Sequence, residues 1–457
     1  MCVFLAHSAD YRTLFTFIVT YFKLFLYAKI DVKFYKGVLL KMSCTGNCLS
    51  CGKCTNYEIL NIFEEQSDIE PRSGFGIAVD IGTTSVVLAL VNLINGEIVA
   101  RHSFMNPQRV YGPDVISRID AANKGKLVEL RGLIVDAVSN GIGVLLEHGK
   151  DEGEKLVEIV IAGNTVMIHI LLGASCEELG KFPFKPSLKL NESYSLFNSQ
   201  VKIIPWLAVF VGGDVLAGLL SVLSRGDKMF LLIDLGTNGE LALYIKGKLI
   251  VTATAAGSAF ECSGHIGGAS AVLDGLAEMV RTGVVDETGL MIPQTTPPFG
   301  HPSKEGNVFT QNEKQGDGSP ALCTSKAGEP SPCFFLSQKG IRGLQLAKSA
   351  VRSGLEILLD SEGLKYADLD AVYLAGGIGQ AMNVDSAITV GLLPSELKEK
   401  VMAIGNASLG GAVRLLLSPD KASVDMNKLL LDYTEINLAE NYKFNGLFMK
   451  HLAFPQN

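Results

Sequence analysis

The sequence predicts an α/β protein of duplicated design, with a small cysteine-rich module ahead of it. Three observations lead there. An apolar strand, a tight D-x-G-T turn and a second apolar strand occur at Gly76–Leu90 and again at Phe230–Tyr244. Three further apolar runs, at 157–162, 371–375 and 403–404, each end in a glycine-containing turn followed by helical spacing. Four cysteines fall between 44 and 54. Two copies of one hairpin in two halves of a chain predict a cleft in which both tips face a single ligand. A glycine at such a tip lets backbone N–H groups approach a polyphosphate, and threonine hydroxyls can donate to its oxygens. A carboxylate beside them suits a hydrated magnesium ion.

Composition narrows the classes. A chain of 457 residues has room for two or three domains and an ample core. Net charge is −7 with no basic run, which argues against a nucleic-acid partner. Nine cysteines, four of them clustered and the rest scattered, do not make a secreted disulfide framework. They point to a reducing cytoplasm and one metal site.

Residues 1–41 fit nothing downstream. Leu14 to Ala28 is apolar, interrupted by Lys23, short for a membrane span and without the flanks of a signal peptide, so no membrane association is expected. Translation is expected to start at Met42, directly before the cysteines, with 1–41 a non-native or disordered extension. Cys44, Cys48, Cys51 and Cys54 form a C-x3-C-x2-C-x2-C run with small residues between. Iron–sulfur clusters are held by such runs, here most simply a 4Fe-4S cluster, although the spacing is not the usual ferredoxin one. A structural zinc site is the alternative. Residues 56–73 are acidic and polar, the composition of a connector, so the module spans 42–73.

The first domain is expected over 74–205. Asp80, Gly82, Thr83 and Thr84 form the first hairpin tip. Helical spacing follows from Gly125 to Gly149. A strand then ends in Gly163, Asn164 and Thr165, a turn that aims N–H groups at a ligand or simply caps the helix after it. Asp214 precedes another helix, as its cap or as a further carboxylate of the site.

The second domain, 206–457, opens with the tip at Asp234, Gly236, Thr237, Asn238 and Gly239. Small residues from Ala255 to Cys262 suggest a loop over the ligand. Residues 286–338 are rich in Pro, Gly, Ser and Lys and read as a surface insertion, in which Cys323 and Cys333 look incidental. A helix is expected from Gly343 to Gly363. Gly376 and Gly377 end a buried strand and let a flat adenosine lie against backbone. Gly405 and Asn406 echo the earlier Gly-Asn-Thr turn, and the small-residue helix after them serves domain packing or a hinge.

The order D-x-G-T-T, G-N-T, D-x-G-T-N-G-E, L-A-G-G and G-N-A-S-x-x-G-A resembles the sugar kinase, actin and heat-shock chaperone (ASKHA) ATPases. Within that superfamily the chain resembles the reductive activators of corrinoid proteins from about Phe75 to its end, including Gly343–Ala350 and the Ala255–Glu261 loop. The resemblance implies two actin-like (RNase H-like) ATPase domains around a nucleotide cleft. It also implies ATP and Mg2+ as ligands and an iron–sulfur electron transfer that returns a cobalt(II) corrinoid to cobalt(I). Asp80, Asp234 and Glu240 become the catalytic candidates, Glu240 by positioning the attacking water. Gly82, Thr83, Thr84, Gly163, Asn164, Thr165, Gly236, Thr237, Asn238, Gly239, Gly376, Gly377, Gly405 and Asn406 become the nucleotide-binding ones. A corrinoid protein or another low-potential redox enzyme is the expected partner, a reduced ferredoxin-like protein the donor, and a homodimer is plausible by analogy. The family's usual ferredoxin domain is missing, and the four cysteines stand in its place. Outside this reading stand an activator of another low-potential enzyme and a small-molecule kinase with a zinc knuckle.

Overall fold

The computed structural model describes residues 69–149, 155–254, 268–292, 321–323 and 333–456. The extension 1–41, Cys44, Cys48, Cys51 and Cys54, the loop at 255–262 and most of the 286–338 insertion lie outside the described residues.

The first half folds as β1 (Phe75–Ile81), β2 (Ser85–Asn92), β3 (Ile98–Met105), α1 (Val115–Ala121), α2 (Leu127–His148), β4 (Leu156–Gly163), α3 (Thr165–Leu172), β5 (Tyr194–Leu196) and β6 (Ser199–Ile203). Its sheet has the order β3-β2-β1-β4-β6-β5. After α4 (Gly213–Leu223), the second half runs β7 (Met229–Leu235), β8 (Gly239–Ile245), β9 (Lys248–Thr254), α5 (Gly268–Arg281), β10 (Ala321–Cys323), β11 (Cys333–Phe335) and α6 (Gln338–Ser361). It continues with β12 (Ala371–Ala375), α7 (Gly376–Ala381), α8 (Val384–Thr389), β13 (Val401–Gly405), α9 (Ala407–Leu417), α10 (Pro419–Leu431), β14 (Tyr433–Glu435) and α11 (Phe444–Lys450). The second sheet has the order β13-β12-β7-β8-β9-β14.

The duplication is visible in these orders. In each half three antiparallel strands lie beside a parallel fourth, β4 on β1 and β12 on β7, with another parallel strand beyond it. Only β5 and β14, added at opposite ends, break the match. The central strands β1, β4, β7 and β12 are apolar on both faces because both are covered. Ile77, Val79 and Ile81 pack outward among the residues of α1, α2 and α3, whereas Ala78 faces the shared interior. On β7, Leu231, Ile233 and Leu235 face α5 and α6, and Phe230 and Leu232 face that same interior.

The interior is built on α4 and α9, which cross very closely. A Cβ on Gly411 would stand 1.9 Å from the Ala217 carbonyl oxygen, so no larger residue fits without parting the helices. The small residues of the Gly405–Ala412 string therefore make a helix-to-helix contact that holds the two halves together.

Several boundaries differ from expectation. The first long helix begins at Leu127, after a wide turn over Ala122–Lys126 in which Gly125 has φ +88°. The helix expected at Gly343 starts earlier, at Gln338, because Ser337 caps it by accepting from the Gly340 N–H at 3.1 Å. Both described ends of the 286–338 insertion are organised. Asp286 folds a turn by accepting from Thr288 and Leu290, and Gln338 bonds Met291 and Gly289. Cys323 and Cys333, read as incidental, are register partners across the β10–β11 pair. Among the described residues no helix is long and apolar enough to cross a membrane.

Candidate functional site

The two hairpin tips meet. Asp80 is the penultimate residue of β1, Asp234 that of β7, and the hydroxyls of Thr84 and Thr237 stand 2.9 Å apart across the gap. Thr83 is fixed by Asn164, whose Nδ2 donates to its Oγ1 at 3.0 Å. The Asn164 Oδ1 meanwhile accepts from the Met167 N–H at 3.0 Å, so one side chain caps α3 and braces the first tip. Its neighbours in that turn are turned away. The Thr165 hydroxyl is fully buried and donates to the Ala208 carbonyl, and a Cβ on Gly163 would stand 2.9 Å from the Ile81 oxygen. The Thr165 hydroxyl therefore packs the turn, and Gly163 lets the end of β1 approach it.

Asp80 is gripped from the other half of the chain. Asn406 donates from Nδ2 to Oδ2 at 2.9 Å, and Ser408 donates to Oδ1 at 2.8 Å. Asn406 also caps α9 by accepting from the Leu409 N–H, the same double duty as Asn164. Gly405, at φ +69°, turns the chain from β13 into this cap. Ser408 was not singled out in the sequence, although a hydroxyl one turn into a capped helix beside Gly-Asn was the available signal.

The second tip is closed by a Gly236 N–H to Asn238 carbonyl bond at 2.9 Å. Asp234 and Glu240 are register partners, so their side chains share one face of the sheet. Glu240 is therefore not a solvent-facing residue: it is buried and takes a hydrogen bond from the Asn238 side chain. Gly376 follows β12, whose Ala375 is opposite Asp234. With φ +79°, its missing Cβ would lie 2.3 Å from the Asp234 Oδ1, so this glycine lets the neighbouring strand approach the second tip. Gly377 has nothing within 4 Å of its Cβ position and borders open space.

Asp214 completes the group. Gly212 is the cap of α4, and Asp214 lies in the first turn, accepting from the Val215 N–H at 2.9 Å. Burial, then the charge of Asp80, pushes its pKa up to about 7. Asp234 is raised to about 7 by burial and by Asp214 and Asp80. Glu240 is raised well above the usual range by burial and by the charges of Asp214 and Asp234. Asp80 is raised by burial alone and drawn back by the two donors from α9. The first three carboxyls thus crowd one another electrostatically, and the fourth is anchored.

Such a group favours a cation. The donor set is all oxygen, suited to magnesium, which takes one or two carboxylates, phosphate oxygens and retained water. Among the described residues no three of His, Cys, Asp or Glu converge so as to hold a metal unaided.

Comparison with known proteins follows the same lines. A family model described as the RACo middle region matches residues 75–223. One described as the C-terminal domain of RACo, the ASKHA domain, matches residues 228–272 and 264–457. The chain is 31% identical over 425 residues to the corrinoid activation enzyme RamQ of Eubacterium limosum, covering 84% of this chain and 71% of that protein. It is 23% identical over 426 residues to the [Co(II) methylated amine-specific corrinoid protein] reductase of Methanosarcina barkeri, covering 83% and 77%. A solved structure titled reductive activator for corrinoid, iron–sulfur protein superposes with a TM-score of 0.70 at 28% identity, covering 86% of this chain and 67% of that one.

Proposed function

The chain belongs to the RACo family, the ASKHA-type reductive activators of corrinoid proteins, and from that premise we propose that it is an ATP-dependent iron–sulfur protein that reduces a corrinoid protein from cobalt(II) to cobalt(I). The observation that carries the nucleotide part is the meeting of two D-x-G-T tips at Thr84 and Thr237 beside crowded carboxylates. When bound, Mg·ATP would supply the free energy of phosphoryl transfer to water, and a cluster on Cys44, Cys48, Cys51 and Cys54 one electron at low potential.

The protein's own residues divide the work. Asp80 and Asp234 hold the hydrated cation. Thr83, Thr84, Thr237 and the amides of the two tips take the phosphate oxygens. Gly377 offers the open backbone on which adenosine can lie. Asp214, whose pKa burial and the charge of Asp80 push up to about 7, can accept a proton from an attacking water near neutral pH, and Glu240, raised further by burial and by the charges of Asp214 and Asp234, can position that water. Asn406 and Ser408 tie Asp80 to α9, so occupation of the cleft alters the packing of α9 on α4 between the halves. ATP would favour one arrangement of the two halves over another only through a difference in its affinity for them. The cytoplasm, with its reduced thiols and a reduced ferredoxin-like donor, is the compartment such chemistry needs, and a homodimer is the assembly proposed.

The test is anaerobic purification from Met42 with iron and sulfide analysis and spectroscopy of the dithionite-reduced protein, followed by ATP turnover and corrinoid reduction. About four irons per chain, a reducible signal and ATP-dependent cobalt(I) formation are expected. Stoichiometric zinc without iron would remove the electron-transfer part of the proposal.

A further inference from the structure

Behind the first tip lies a buried polar cluster that the reading above does not use. Arg118, on α1, is fully buried, and so is Asn106, which precedes the short turn at Pro107–Tyr111. Arg118 donates from Nη2 to the Thr83 carbonyl at 2.6 Å and from Nε to the Gly112 carbonyl at 3.2 Å. Asn106 donates from Nδ2 to the Gly82 carbonyl at 2.9 Å and from its backbone N–H to the Thr84 carbonyl, also at 2.9 Å. Three successive carbonyls of the tip are thus taken from behind by two residues. The Met167 sulfur, at the start of α3, lies against both, 3.1 Å from Arg118 Nη1 and 3.7 Å from Asn106 Nδ2. That contact ties the cluster to the Asn164 turn that braces Thr83.

Burying a guanidinium is costly, and a site that needed only filling is better served by leucine or methionine. The geometry supplies the reason for the charge. In a planar trans peptide the carbonyl of one residue and the N–H of the next point in opposite directions. With the Gly82 and Thr83 carbonyls held into the protein, the N–H groups of Thr83 and Thr84 are turned away from the cluster. That is the orientation of an anion-binding nest, and the permanent charge of Arg118 lies directly behind it.

We propose that Arg118 and Asn106 are positioning residues that hold the first tip in its phosphate-receiving form before any nucleotide arrives. Their action falls on the phosphates, because their bonds to the tip go to the carbonyls of Gly82, Thr83 and Thr84. The inference rests on the reading of the cleft as an ATP site.

The experiment compares the full chain with Arg118→Lys and Arg118→Met, measuring dissociation constants for ATP and for adenosine and checking the fold of each by circular dichroism. Loss of charge-assisted support should weaken ATP by about 10- to 100-fold in Arg118→Met. Arg118→Lys, which keeps the charge but cannot fork to two carbonyls, should fall between. Adenosine should bind all three within about twofold, a split that a general packing role would not produce. A folded Arg118→Met with wild-type ATP affinity overturns the proposal, and so do equal losses for ATP and adenosine. Should Arg118→Met fail to fold, amide exchange in the wild-type chain decides. ATP, and not adenosine, must slow exchange at Thr83 and Thr84, and unchanged exchange with ATP bound overturns the role. A wild-type chain that binds adenosine but not ATP overturns the nucleotide reading itself, which separates the two failures.

Discussion

Asp214→Asn should make the nucleotide-free protein more stable, and more so the higher the pH. Its carboxyl stands at about 7 against an ordinary 3.8, through burial first and the charge of Asp80 second. The sign follows from the protons bound. Below about pH 3, Asp214 is protonated both folded and unfolded, and the variant gains nothing. Between about 4 and 7 the folded state holds the proton that the unfolded state has released, so stability falls as pH rises. Above 7 the native protein carries the full penalty of an ionised, crowded carboxylate. A difference of this size corresponds to about 4 kcal/mol if fully expressed. The carboxylate keeps an accessible edge on the cleft, where water relieves part of it, so a gain of about 1–2 kcal/mol at pH 8 is the realistic expectation. Asparagine retains an oxygen for the Val215 N–H, so the helix start should survive. Urea or thermal unfolding between pH 5 and 8 reads the effect, with melting raised by roughly 2–8 °C at pH 8 and by less at pH 5. ATP turnover in the same variant should drop by about 100-fold or more. A variant that melts lower than wild type at pH 8, or whose gain is the same at pH 5, would refute the reasoning.

Gly376→Ala should cost about 1–3 kcal/mol in urea unfolding, because a Cβ there meets the Asp234 carboxylate at a φ that alanine adopts poorly. An unchanged midpoint would mean that β12 does not press on the second tip. Asn406→Ala together with Ser408→Ala removes two donors that favour ionised Asp80, so its pKa rises further and the acid limb of the pH–rate profile should move to higher pH. A limb that stays in place would show that Asp80 does not set it. Serine at Cys44, Cys48, Cys51 and Cys54 should abolish iron content while leaving ATP affinity within about twofold, as measured by metal analysis and calorimetry. Joint loss of both would tie the cysteines to the ATPase fold rather than to a separate redox role.

What the sequence made legible was local. The hairpins at Asp80 and Asp234 could be read because apolar runs on either side of a D-x-G-T turn admit few other structures. The turns at Gly163, Gly376 and Gly405 could be placed because strands stop where glycine lets the chain reverse. What stayed hidden was which residues from separate segments come together. Asp214 had equal claims as a cap and as a site residue, and only the approach of Asp80 and Asp234 distinguishes them. Thr165 matched a ligand turn in sequence, yet its hydroxyl is consumed by Ala208, a residue more than forty positions away. Arg118 carried no motif, since its role depends on a carbonyl 35 positions earlier in the chain. The early start of α6 was masked by the composition of the insertion running into it, where one serine cap outweighed the polar residues around it.

The helix Ala407–Leu417 joins these facts into one device. Its first turn holds Asp80 through Asn406 and Ser408. Its middle is locked at Gly411 against the Ala217 backbone of α4, whose own first turn carries Asp214. Its last turn is held by the connector that follows the cysteine run: the Glu70 N–H donates to the Leu417 carbonyl at 2.7 Å, and the Arg72 guanidinium donates to the Leu416 carbonyl. Arg72 also pairs with Glu158, which binds the connector to the start of β4 in the first half. An eleven-residue helix is rigid over roughly 16 Å, so its two ends move as one body. The Asp80 carboxylate and the Glu70–Arg72 peptide are therefore attached to opposite ends of a single rigid helix. Under the proposed function, a displacement of Asp80 on nucleotide binding would be carried along this helix to Glu70 and Arg72, which is the mechanical condition that coupling ATP to the cysteine module would require.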